Sequence, residues 1–129
     1  MATVGFHDLR VYQLAEQLAD EVWEIVHGWS VFVKDTTGKQ LVRSADSIGA
    51  NIAEGTGRYS FQDNKRFVRY ARGSLYETQH WLRRAVRRNL VTPEQAARLR
   101  EVVKILGPTL NAYLRSIGRG KQADKTDDQ

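Results

Sequence analysis

Between residues 65 and 88, Lys65, Arg69, Arg72, Tyr76, His80, Arg83 and Arg87 recur at three- and four-residue steps, with Arg66, Arg84 and Arg88 beside them. On a helix such spacing gathers side chains into one stripe, here opposite Phe67, Ala71, Leu75 and Leu82. Asp63 and Glu77 are the only acids from residue 60 to 90, against eight Lys and Arg residues. The i,i+4 ion pairs that neutralise an ordinary solvated face are therefore mostly missing. Guanidinium groups bind phosphate oxygens through paired N–H donors, so the ridge predicts contact with a nucleic-acid backbone and not base readout. The candidate nucleic-acid-binding residues are Lys65, Arg66, Arg69, Arg72, Tyr76, Arg83, Arg84, Arg87 and Arg88. A merely solvated surface is the competing reading.

A second constellation lies in "RSADSIGANIAEGTGRYS" at residues 43–60. Ser44, Ser47, Asn51 and Glu54 form a polar seam beside the apolar stripe Leu41, Ala45, Ile48 and Ile52. The seam reads as structural: small side chains admit a close neighbour, while Asn51 and Glu54 satisfy backbone groups near the glycine-rich end. A ligand pocket at Asn51 and Glu54 is the alternative. Catalytic apparatus is not expected. His7, His27 and His80 fall in separate segments and lack the Glu-x-x-His spacing of metal-binding bundles. The run "EGTGR" has no strand before it, as a phosphate-binding loop requires. No catalytic residue, metal or cofactor is assigned.

These side chains need helices to position them. Val11, Leu14, Ala15, Leu18, Val22, Ile25, Val26 and Trp29 mark a first helix over residues 8–28, with Asp8 as its N-cap. A connecting loop is predicted to about residue 37, then a second helix over 38–55 closed by Gly55 and Gly57. Ser60 caps a third helix over 60–90 whose stripe is Phe67, Ala71, Leu75, Thr78, Leu82, Ala85 and Asn89. "TPEQ" at residues 92–95 opens a fourth, over 93–117, with a kink expected at Pro108. No segment alternates as a half-buried strand does, and the short connections favour antiparallel neighbours. The expected fold is an all-α, up-down-up-down antiparallel four-helix bundle over residues 1–117, with a flexible tail at 118–129.

The chain has 129 residues, a net charge of +5 and a pI near 9.7, suiting a single domain with a polyanionic partner. It has no cysteine, which removes disulfides and thiolate chemistry and fits a reducing compartment. Neither a signal peptide nor a membrane-spanning run is visible, so a cytoplasmic location without membrane contact is expected.

"FHDLRVYQLA" at residues 6–15, "QLVRSADSIGANIAEGTGR" at 40–58 and "SFQDNKRFVRYARGSLYE" at 60–77 carry a family resemblance. They resemble the four-helix-bundle proteins encoded in intervening sequences of bacterial large-subunit ribosomal RNA genes. Val42 stands where that family usually has arginine and Gly49 where it commonly has proline, so a local bend at residue 49 is expected to persist. The family is similar in fold to the accessory variability protein of diversity-generating retroelements, a basic pentameric barrel that binds nucleic acid and a reverse transcriptase. The resemblance implies a homo-oligomer, most simply a pentamer, in which the ridge is repeated around a shared surface. Two function classes follow: a non-enzymatic oligomeric nucleic-acid-binding protein, or a scaffold docking an acidic protein partner such as a nucleic-acid enzyme.

Overall fold

The computed structural model describes residues 5–119. Four antiparallel helices make up the bundle: α1 (Arg10–His27), α2 (Lys39–Thr56), α3 (Phe61–Arg87) and α4 (Pro93–Ser116). There is no strand among the described residues. Each helix packs against two neighbours, α1 on α2 and α4, α3 on α2 and α4, with no diagonal pairing. The fold is the all-α up-down-up-down bundle. Its α2–α3 pair is the most closely packed and its α3–α4 pair the least, leaving a groove along the α3–α4 seam.

Apolar periodicity builds the core. Leu18, Leu41, Ile48, Ile52, Leu99, Leu106 and Leu110 are fully buried, each burial being worth about 1.5–3 kcal/mol. On α3 the buried stripe is Val68, Ala71, Leu75, Thr78, Leu82 and Ala85. Val68 replaces the expected Phe67, which is half-buried under the Arg58 guanidinium, 4.5 Å from its ring centre. Asn89 is not part of the stripe either. It is exposed with φ of 57°, and the N–H groups of Asn89 and Leu90 bond back to Val86 and Ala85, closing the helix in a Schellman motif.

The ends follow local chemistry. Ser60 Oγ accepts the Asp63 N–H at 3.0 Å, and Thr92 with Gln95 forms a reciprocal capping box. Asp8, expected to cap α1, instead belongs to a separate 3-10 turn at Phe6–Asp8, and α1 begins after the extended Leu9. Pro108 lies within α4. Of the expected tail, residues 120–129 lie outside the described residues.

The predicted loop before α2 is also helical. Val31–Val33 makes an α-helical turn, Lys34–Gly38 a π-helical turn, and α2 follows without interruption. A π turn inserts one residue into the helical ladder and shifts the apolar phase, which is why the segment lacks a clean period in sequence. Its inward side is small and buried, Thr37 and Gly38. A Cβ on Gly38 would come within 2.8 Å of Val26 Cγ1 and 3.1 Å of the Val33 carbonyl. Arg88 fixes this turn to the end of α3 by donating to Thr37 Oγ1 at 2.7 Å.

Glycines also set helix spacing. Gly49 is buried, and a Cβ there would meet the Tyr12 ring at 3.2 Å, so α2 passes close to α1 at this point. At Gly55 the approach is tighter: a Cβ would lie 2.5 Å from Asn64 Oδ1, 3.1 Å from Phe67 Cβ and 3.2 Å from the Asn64 carbonyl. Since the carbonyl is fixed in α3, Gly55→Ala is expected to lower stability by about 1–2 kcal/mol, overpacking outweighing the gain in helix propensity. Thermal melts check this; an alanine variant as stable as the parent removes the spacing argument.

Candidate nucleic-acid interface

The α3–α4 groove is made of two adjoining hollows of about 320 and 300 Å³ that share Gln79 and Val103. From α3 it receives Arg72, Tyr76, Arg83 and Arg87, and from α4 Arg100, Lys104 and Asn111. Five cations and no carboxylate line it. Arg72 Nη1 reaches across the seam to Asn111 Oδ1 at 3.3 Å, which orients the guanidinium at one end. Among the described residues no acid forms an ion pair with Arg72, Arg83, Arg87, Arg100 or Lys104.

The nine ridge residues thus divide into three sets. Arg72, Tyr76, Arg83 and Arg87 enter the groove. Arg69 is exposed and Lys65 half-buried on α3 outside it. Arg66, Arg84 and Arg88 follow the opposite flank of the helix, toward α2. There Arg66 pairs with Asp63 at 2.8 Å and Arg88 holds Thr37, so two of the three are engaged within the chain. Arg100, Lys104 and Asn111 were not among the sequence candidates. Their one signal is the i,i+4 spacing of Arg100 and Lys104, which acquires meaning only when that face of α4 is known to look at α3.

A model of the 23S rRNA-intervening sequence proteins matches residues 7–112. The chain belongs to this family. The solved structure of a protein of unknown function from the S23 ribosomal protein family of Bacteroides thetaiotaomicron is similar to it, with a TM-score of 0.73 and 23% identity. That similarity covers 82% of this chain and 99% of the other and shows the shared fold. No curated protein matches the sequence.

In this intervening-sequence protein a cluster of acids lies apart from the cationic groove. Asp20, Glu21 and Glu24 border a hollow between α1 and α4, away from the α3 face, where the Arg98 guanidinium lies 3.6 Å from the Glu21 carboxylate. Asp46 is exposed on α2, and the hydration it loses against the helix surface, with the neighbouring Asp20 carboxylate, raises its pKa above the ordinary value. The folded chain therefore holds that proton more tightly than the unfolded one, so this group favours folding at acid pH and loses that contribution as pH rises through its folded pKa. Asp46→Asn is expected to melt above the parent at pH 7, the difference closing as pH falls below the carboxylate range. A melting difference that ignores pH would detach the effect from this charge.

The polar seam is resolved residue by residue. Ser44 is buried and donates to the Leu41 carbonyl at 3.1 Å, Ser47 to Arg43 at 2.8 Å, and the half-buried Asn51 amide to Ser47 at 2.8 Å. All three close on their own helix, as short polar side chains do when no partner faces them. Glu54 differs from expectation. It is exposed and pairs with Arg58 at 3.1 Å instead of satisfying backbone groups. Among the described residues no three His, Cys, Asp or Glu side chains lie together in a metal-binding arrangement, and no helix is long and apolar enough to cross a membrane.

Proposed function

We propose that this protein is a non-enzymatic, cytoplasmic nucleic-acid-binding protein that works as a homo-oligomer, with a pentamer favoured. The observation that carries the reading is the α3–α4 groove, five cations from two helices with no carboxylate among its lining residues. Such a surface stabilises phosphates by charge and displaces condensed counterions, so affinity follows salt and not sequence. The family's description, 23S rRNA-intervening sequence protein, supports a nucleic-acid context for the same surface. Docking of an acidic protein uses the same charges and is the outcome to separate.

Fluorescence anisotropy of random-sequence RNA and DNA across a salt series tests the proposal. With five phosphate contacts, log affinity should fall against log salt with a slope of about −3.5 to −4.5, alike for different sequences. Absence of binding at low salt, together with retention on immobilised polyglutamate, would transfer the groove to an acidic protein partner.

A further inference from the structure

Charge explains attraction to nucleic acid but not the form of the α3–α4 groove. Cations stand on both walls, Arg72, Arg83 and Arg87 on α3 and Arg100 and Lys104 on α4. Packed helices lie about 8–10 Å apart, so an occupant of their seam must offer negative charge to two sides within one helix spacing. A duplex carries its phosphates on the outside of a broad cylinder and rests on the rims of such a slot. A single strand lies in it and meets both walls.

The groove floor makes a second, independent demand. Leu75, Leu82, Val86 and Val103 contribute apolar surface between the charged walls, and Gly107 with Pro108 extends it on α4. Phosphates gain nothing there, whereas the faces of unpaired bases do. Tyr76 is 64% exposed and lies in the hollow that Arg72 and Lys104 also line. No ring among the described residues packs against it and its hydroxyl makes no hydrogen bond there. An aromatic face in a hollow shared with a guanidinium and an ammonium group is a stacking platform for a base whose own faces are free. In a duplex those faces are occupied by neighbouring base pairs.

We infer that the α3–α4 groove is a single-strand site in which Tyr76 stacks on an unpaired base while the flanking cations hold the phosphates. This rests on the proposed nucleic-acid function and deepens it. The ligand chemistry is an unpaired base on a phosphodiester backbone, in RNA or DNA.

The test uses the full chain and four labelled probes: a twelve-nucleotide oligouridylate, the matching oligothymidylate, a duplex of the same length, and an abasic deoxyribose-phosphate strand. At moderate salt at least one of the two single strands should bind about tenfold more tightly than duplex or abasic strand, the size of one base–aromatic stack. The tighter of oligouridylate and oligothymidylate assigns the sugar. Tyr76→Ala should remove that margin with an unchanged salt slope, moving duplex and abasic affinities less than twofold, and Tyr76→Phe should restore it. Tyr76 is exposed, so the alanine chain is expected to keep its melting temperature. Duplex binding as tight as both single strands, or an alanine variant that weakens all four probes alike, overturns the single-strand site while leaving phosphate binding in place. Failure of every probe to bind overturns both.

Discussion

Replacing Arg83, Arg87 and Arg100 together by Gln is expected to weaken nucleic-acid binding roughly a hundredfold at 0.1 M salt, and to flatten the salt slope by about 2–3 units. Counterion release sets the size of the effect, each lost phosphate contact removing about 0.7–0.9 of a unit from the slope. All three side chains line the groove, are exposed, and form no ion pair among the described residues. Gln is close to Arg in helix propensity, so the bundle should melt as the parent does. Arg10, Arg43 and Arg115, also exposed and without an ion pair among the described residues but outside the groove, provide a control with the same change in net charge. If only net charge mattered, the two triple variants would lose affinity equally. A groove variant that binds no worse than its control would leave the cationic walls as a solvated face, and the nucleic-acid reading would fall with them.

What was legible in the sequence were features decided locally. Ser60 and the Thr92–Gln95 pair announce helix starts because a cap is a side chain bonding its own next turn. The 3-4 periodicity of Val11, Leu14, Leu18 and Val22 likewise needs no knowledge of a partner. The π turn at Lys34–Gly38 was illegible, because its extra residue breaks the period on which recognition depends and its buried side consists of Thr37 and Gly38. Phe67 and Val68 are adjacent, and the packing of α3 on its neighbours decides which is buried. The site divides in the same way. The cationic character of α3 is visible as a scarcity of acids, but its division between groove and α2 flank is a tertiary fact. Along α4, Arg98, Arg100, Glu101 and Lys104 look like an ordinary mixed helix surface until α3 selects two of them.

The second large effect concerns assembly. Trp23, Val31 and Phe32 are 56, 75 and 76% exposed, three large apolar side chains on the corner where α1 gives way to the helical turns before α2. Trp23 also borders a hollow of about 220 Å³, with Val26, Gly38 and Val42, rimmed by His27, Lys34 and Lys39. A monomer gains nothing by holding two aromatic rings in water on an ordered corner, whereas interfaces place such rings at their centres. In the proposed homo-oligomer this corner is expected to be covered by a second copy. Light scattering is then expected to give the parent a mass near five times the 14.7 kDa chain, and the Trp23→Ser, Phe32→Ser double variant the mass of one chain with unchanged helical content. Neither side chain belongs to the bundle core, so loss of mass would report the interface and not unfolding. A parent already at one chain mass ends the assembly proposal, and a variant that stays oligomeric moves the interface elsewhere. Assembly and binding are linked by multiplicity, since copies on one oligomer engage a long strand at high effective concentration. The double variant should therefore lose about 10²-fold or more in affinity for a long strand while a twelve-nucleotide strand, which one groove can serve, binds as before.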